Sequence, residues 1–265
     1  MKSNRVGNMI ISIFNTKGGS GKTATATLLL SAIAEFNASS DAPVKTIVID
    51  TDPQGTLSTF FARRANRQRP TLSIENRVVN LHAKANRLTN DKVHAILRDA
   101  NKECDLLILD CAGSYDPDAS AAILVSHLVI VPAALAMGEI GVALPIIHQM
   151  NTGAAAAGLP LRACLAINRE EPIPSKSQKA LSQIIEEEDV PRFETRVPRL
   201  GVIAEIVQHG LYLHEMQGLG SSEKSIAKSL TVARRFLAEL SEQTIQNREG
   251  RNHDENQRHD ASVVS

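Results

Sequence analysis

The segment Lys17-Gly18-Gly19-Ser20-Gly21-Lys22-Thr23 constrains this chain more than any other. It stands between a short apolar run, Met9 to Phe14, and a helix-forming stretch, Thr23 to Phe36. A strand that passes through a glycine-rich turn directly into a helix gathers backbone N–H groups and the positive end of the helix at one point. The glycines let those N–H groups turn inward on phosphate oxygens without a Cβ clash. Lys22 adds a point charge at the β and γ phosphates, and the Thr23 hydroxyl is placed to ligate Mg²⁺. The standard phosphate loop has glycine five residues before Gly21, where this chain has Thr16, so the loop is a variant. The implied cofactors are ATP and Mg²⁺, held by the whole stretch from Lys17 to Ala24.

The rest of the chain repeats the apolar-run pattern. Val44 to Ile49 ends in Asp50-Thr51-Asp52-Pro53-Gln54-Gly55, and Leu106 to Leu109 ends in Asp110-Cys111-Ala112-Gly113. Leu128 to Val131 and Leu165 to Ile167 are two further runs. Continuous apolar strands separated by helical stretches predict an α/β fold: a mostly parallel sheet with helices on both faces. Ligands in such folds bind at the carboxyl ends of the strands, where the loop, Asp50, Asp52 and Asp110 all fall. Helices are expected over Ser175 to Glu188, Gly201 to Gly210 and Ser221 to about Gln243. The chain divides into an ATPase domain, 1–246, and a polar tail, 247–265, that lacks an apolar period and is expected to be disordered.

Composition narrows the class. No stretch of eighteen apolar residues is present to span a bilayer. The polar N-terminus, Met1 to Asn8, shows no leader of the secretory kind, and a cytoplasmic location is expected. Cys104, Cys111 and Cys164 lack Cys-x-x-Cys spacing, which argues for core thiols and against zinc or iron–sulfur ligation. Lys and Arg number 29 and so do Asp and Glu, so binding to nucleic acid needs a local patch.

Lys17 is the residue a standard phosphate loop does not require. With Lys-Gly-Gly-x-Gly-Lys-Thr and the downstream Asp50-x-Asp52-Pro53-Gln54-Gly55, the chain resembles the ParA/MinD family of deviant Walker A ATPases. It is most similar to short ParA proteins of plasmid and chromosome partition. The resemblance implies an ATP-sandwich homodimer in which Lys17 of each subunit reaches the phosphates bound by the other. It implies catalytic roles for Lys17, Lys22 and Asp52, with Asp52 positioning the attacking water. Thr23, Asp50 and Asp110 are the implied metal-site residues, Asp110 resembling a Walker B aspartate and Gly113 a γ-phosphate-sensing hinge. Asn168 matches the position where relatives place an asparagine beside the adenine, and a turn-forming role is equally open. Two departures stand out. Ala24 replaces the second threonine usual after the loop lysine, and Asp110-Cys111-Ala112-Gly113 replaces the Asp-x-Pro-Pro of many partition relatives.

The family's outputs differ. A polar tail argues against the terminal amphipathic helix of membrane-binding members, so no membrane partner is expected. On the last helix Ile226, Leu230, Ala233 and Leu237 fall on one side while Lys224, Lys228 and Arg235 fall opposite. That basic stripe either binds DNA phosphates nonspecifically or is an ordinary solvated face, and Glu239 and Glu242 prolong it with the opposite sign. Arg63-Arg64-Ala65-Asn66-Arg67-Gln68-Arg69 either touches DNA or a partner or is a solvated helix end. The stretch from Phe193 to Gly210 resembles both partition ATPases and relatives in conjugative DNA transfer. The expectation is an ATPase for DNA segregation with a ParB-like or other activating protein, located in the cytoplasm and associated with the nucleoid. The alternatives are a transfer ATPase that recruits a relaxosome and a MinD-like spatial regulator acting through protein contacts.

Overall fold

The computed structural model describes residues 8–77, 90–114 and 117–263. Six strands form one sheet: β1 Met9–Ile13, β2 Thr46–Asp50, β3 Ile74–Arg77, β4 Leu106–Asp110, β5 Leu128–Ala134 and β6 Arg162–Asn168. They are all parallel, in the order β3-β2-β4-β1-β5-β6. Among the described residues eight α-helices accompany them: α1 Lys22–Ser39, α2 Thr56–Asn66, α3 Asn90–Lys102, α4 Pro117–Leu124, α5 Met137–Ala157, α6 Lys176–Glu187, α7 Gly201–His209 and α8 Glu223–Val263.

Successive strand side chains point to opposite faces, so strands covered on both sides are apolar on both, and a polar residue among them needs a partner, as Ser12 finds in the Ser126 hydroxyl at 2.7 Å. In β1, β2 and β4 all five residues are buried. Ile10, Ile47 and Leu107 join the core beneath α3, α4, α5 and α6. Their neighbours Ile11, Val48 and Ile108 join the opposite core, beneath α1, α2 and α8. A third cluster packs Leu28 and Ala32 of α1 against Val202 and Ile206 of α7 and Ile226 and Ala233 of α8. Helix α1 is thus sandwiched between the sheet and an outer pair of helices. Its polar interior residues manage this by bonding backward: Thr27 Oγ1 donates to Thr23 O, and Ser31 Oγ donates to Thr27 O.

The five expected strands are present, and the structure adds β3. That strand is only four residues long, and after Ile74 its side chains are polar and incompletely buried, because it forms the sheet's edge. Strand β5 extends past Val131 through Pro132. The carbonyls of Ile130 and Pro132 accept bonds from Phe14 N and Asn15 Nδ2, so the proline faces the place where β1 gives way to the loop. The missing N–H therefore interrupts no ladder bond with β1. Helix α8 also departs from expectation: its backbone continues through Val263, covering most of the segment expected to be a disordered tail from 247, with 264–265 outside the described residues. Absence of an apolar period rules out a buried face rather than a helix, and Arg, Glu and Gln residues there have good helix propensity.

The Arg63–Arg69 cluster is divided. Arg64 is buried: its Nη1 donates to Glu215 at 2.5 Å, its Nη2 to Pro70 O at 3.0 Å, and its guanidinium lies 3.7 Å from the Tyr212 ring centre. Helix α7 can approach this point because Gly210, with φ 64°, ends it. A Cβ there would stand 2.9 Å from both Arg64 N and Phe60 O. Arg64 therefore ties α2 to the segment after α7 and is not free to touch DNA. Burial is the largest influence and works against the Glu215 charge, but the Arg64 hydrogen bond, the Tyr212 N–H and the Arg64 charge together outweigh it and hold the carboxyl below its usual pKa. Truncating one member of such a pair strands the other charge. Arg64→Ala is expected to cost about 3–5 kcal/mol in urea unfolding, whereas Arg67→Ala, at an exposed position, should change stability by less than about 0.5 kcal/mol.

Candidate functional site

Parallel pairing of β2, β4 and β1 places Asp50 opposite Asp110 and Asp110 opposite Ile13, so three strand ends are level at one edge. The loop leaves β1 at Phe14. Asn15 anchors it, donating from Nδ2 to Pro132 O at 2.8 Å and accepting Lys17 N at Oδ1 at 2.9 Å. Gly18 and Gly19 are exposed, Ser20 is buried, and α1 begins after Gly21. Gly21 takes φ 95°, and a Cβ there would lie 2.4 Å from Asn168 Nδ2. Both the conformation and the space demand glycine at this position. The N–H groups of the first turn of α1 face outward at the junction, as anion binding requires.

Lys22 and Thr23 head the helix. Lys22 Nζ donates to Asn15 O at 3.3 Å, bridging the base of the loop, and lies 3.0 Å from where a Cβ on Gly113 would stand. Thr23 Oγ1 donates to Asp110 Oδ2 at 2.8 Å. Ala24 follows, half-buried, with no hydroxyl to offer.

The three carboxylates differ in their commitments. Asp110 is 1 % exposed, and its Oδ1 is buried without a hydrogen-bond partner among the described residues. Burial pushes its pKa up to about 7; the Thr23 hydrogen bond and the Lys22 charge oppose this, and Asp50 and Asp52 reinforce it. A hard cation beside Oδ1 and the Thr23 hydroxyl would satisfy both the orphaned oxygen and the buried negative charge, so these residues fit Mg²⁺. Asp50 is equally buried but fully engaged: Oδ1 accepts Asp52 N at 3.1 Å and Oδ2 accepts Ser58 N at 2.8 Å. It thereby caps the first turn of α2 and fixes the turn that presents Asp52. Asp52 is half-exposed, its Oδ1 accepting Gln54 N at 2.9 Å. The structure gives Asp50 a scaffolding position behind Asp52, whereas the sequence reading places it beside the metal.

Two further residues complete the site, Lys17 of the loop itself and Asn168 from the end of β6. Lys17 Nζ donates to Gly138 O at 3.0 Å, at the start of α5 in its own chain. Asn168, 5 % exposed at the end of β6, donates from Nδ2 to Ser20 O at 2.5 Å and so braces the loop from above. Glu139 and Arg169 were not singled out in the sequence. Arg169 Nη2 contacts both Glu139 oxygens at 2.7 Å, Arg169 Nε donates to Asn168 Oδ1 at 3.3 Å, and Glu139 Oε2 accepts Ala134 N. The signal available in the sequence was a charged residue directly after a strand-ending asparagine. Among the described residues, no group of three or more His, Cys, Asp or Glu side chains is arranged to hold a metal, and the three cysteines are buried and unbridged.

The basic stripe lies elsewhere, on α8. Lys224, Lys228 and Arg235 are exposed and make no ion pair among the described residues, while Ile226, Ala233 and Phe236 are buried. Arg234 is outside the stripe and pairs with Glu35 through Nε at 2.7 Å. Glu239 is turned away, accepting the backbone N–H groups of Glu194 and Thr195.

The raised pKa of Asp110 has a sign that can be checked. Folded protein binds more protons than unfolded chain between the ordinary value, 3.8, and about 7, so this carboxyl's contribution to stability falls as pH rises through that window. In metal-free protein, Asp110→Asn is expected to raise the melting temperature at pH 8 and to change it little at pH 5. Thermal scans at the two pH values measure this, and an equal effect at both would contradict it.

Comparison with known proteins agrees with this geometry. Residues 11–260 match the model of the CobQ/CobB/MinD/ParA nucleotide binding domain. No curated protein sequence matches the chain. Solved structures with a similar fold include the cell division ATPase MinD of Pyrococcus furiosus, at 16 % identity and TM-score 0.63, covering 89 % of this chain and 99 % of that one. A Borrelia burgdorferi B31 protein described as a plasmid partition protein, bound to AMPPNP, is 17 % identical with TM-score 0.62, covering 87 % and 98 %. Apo McdA of Cyanothece is 15 % identical with TM-score 0.62, covering 84 % and 98 %. The match over nearly the whole chain, on a sheet whose strand ends carry this phosphate loop and these carboxylates, places the protein in the CobQ/CobB/MinD/ParA family of nucleotide-binding domains.

Proposed function

We propose that the chain is a ParA-type ATPase for DNA segregation. ATP binding joins two copies, the dimer holds DNA nonspecifically, and an activating protein of the ParB kind stimulates slow hydrolysis that releases it. The observation that carries the DNA half of this reading is the exposed stripe of Lys224, Lys228 and Arg235, unpaired among the described residues, on a helix whose other face is buried. Cations so placed neutralise phosphates without reading bases, which gives salt-dependent, sequence-independent binding.

The nucleotide half rests on the strand ends. Loop N–H groups from Lys17 to Ala24 and the Lys22 ammonium take up the phosphates, and Thr23 and Asp110 hold the Mg²⁺, which neutralises phosphate charge when bound. Asp52, presented by a turn that Asp50 fixes, orients the attacking water. Positioning of this kind is most of what phosphoryl transfer asks of a protein. Lys17 leaves Gly138 O to reach the phosphates held by the second copy. Asn168 lies beside the loop, where an adenine would rest against it. Among the described residues no helix is long and apolar enough to cross a membrane.

Retention of the purified protein on nonspecific duplex DNA, with ATP, ADP or no nucleotide and at two salt concentrations, tests the proposal. ATP-specific retention that weakens at the higher salt is expected, with a loss of roughly tenfold or more when Lys224, Lys228 and Arg235 are all replaced by Gln. Retention that ignores the nucleotide would sink the DNA reading, and none in any state would move the output toward protein recruitment. Separately, Asp52→Ala should accumulate an ATP-bound dimer by light scattering, and hydrolysis at the parental rate would refute its role.

A further inference from the structure

Away from the phosphate loop, a cavity of about 790 Å³ opens between α2, β3 and the segment leading into β2. Its size lies within the range of small-molecule sites. Phe61 and Ala65 of α2 and Ile74 of β3 give it a mainly apolar wall. Two of its wall residues carry polar atoms that nothing satisfies: the Tyr212 hydroxyl and the Asn76 side-chain oxygen are buried without a hydrogen-bond partner among the described residues.

The charges around the cavity do not cancel. Arg64 is committed to Glu215, and Glu75 is committed to Arg77 at 2.7 Å. Lys45 and Arg69 also line the cavity, are exposed, and make no ion pair among the described residues. What remains is positive. We propose that this cavity is a second ligand site, which takes a small amphipathic carboxylate. Its apolar body packs between α2 and β3, and its anionic head meets Lys45 and Arg69. The site shares no residue with the Lys17–Thr23 loop, yet Ser58, in its wall, also gives its N–H to Asp50 Oδ2. A ligand here would therefore touch the same helix whose first turn is fixed behind Asp52.

Titration calorimetry on the full chain tests this with decanoate as the probe, and with decanol and decyltrimethylammonium as neutral and cationic counterparts. Decanoate is expected to bind saturably at one site and more tightly than either counterpart. Lys45→Gln with Arg69→Gln should weaken it roughly tenfold or more. Ala65→Trp, at an exposed helix position that lines the cavity, should fill the space and abolish binding while leaving nucleotide binding unchanged. No saturable decanoate binding, or binding that survives Ala65→Trp, overturns the site. Equal binding of decyltrimethylammonium overturns the anionic head. Neither readout depends on DNA or on ATP hydrolysis, so the outcome is independent of the proposed function.

Discussion

Helix α1 has to be buried through its middle, Thr25 to Ala34, and still open its first turn to a ligand. The sheet covers one side and α7 and α8 cover the other, so along most of its length α1 is buried, while its two ends, at Gly21 and around Phe36 to Ser39, reach the surface. Everything at the site follows from how the Gly21 end is fixed. Asn15 ties the loop to β5, Lys22 bridges the loop's base, Thr23 ties the helix to Asp110 on β4, and Asn168 presses on Ser20 from β6. An anion placed there meets N–H groups that are already oriented, so binding need not be offset by ordering the loop.

Asp50 and Asp110 show how register alone leaves chemistry undecided. They face each other across β2 and β4, both buried, and the sequence reading gave both to the metal. What separates them is the chain that follows. After Asp50 the backbone turns back through Asp52 into α2, so two N–H groups fold over the carboxylate. After Asp110 it continues outward to Gly113, and one oxygen remains uncompensated. A carboxylate satisfied by N–H groups is a structural anchor, and one left bare next to a hydroxyl and a lysine is poised for a cation.

The sheet was legible because fully buried parallel strands are mainly apolar, with polar residues such as Ser12, Thr46, Asp50 and Asp110 few among them. The same rule hid β3, whose Glu75 and Arg77 pair with each other at an open edge, and shortened β5 at Pro132. The loop and its carboxylates were legible because phosphate chemistry fixes residue types at fixed spacings. Arg64 was not: a run of four arginines in seven residues reads as a surface patch, and only the approach of α7 through Gly210 turns one of them inward. Glu139 and Arg169 were illegible for the related reason that their pairing joins elements thirty residues apart.

The basic stripe on α8 is also altered by contacts that composition cannot show. Glu239, read as prolonging the stripe with the opposite sign, spends its charge on two backbone N–H groups of the segment between α6 and α7. Arg234, adjacent in sequence to Arg235, is spent on Glu35 of α1. These contacts engage Arg234, Glu35 and Glu239 and leave Lys224, Lys228 and Arg235 as a line on one face, four and seven residues apart. Arg234–Glu35 and Glu239 also moor α8 to α1 and to the chain beside β6, so the line is held on a rigid element. A phosphate backbone meeting it would encounter cations that form no ion pair among the described residues, although the exposed Glu223 and Glu242 lie on the same helix, and the free energy of that contact would come chiefly from released counterions.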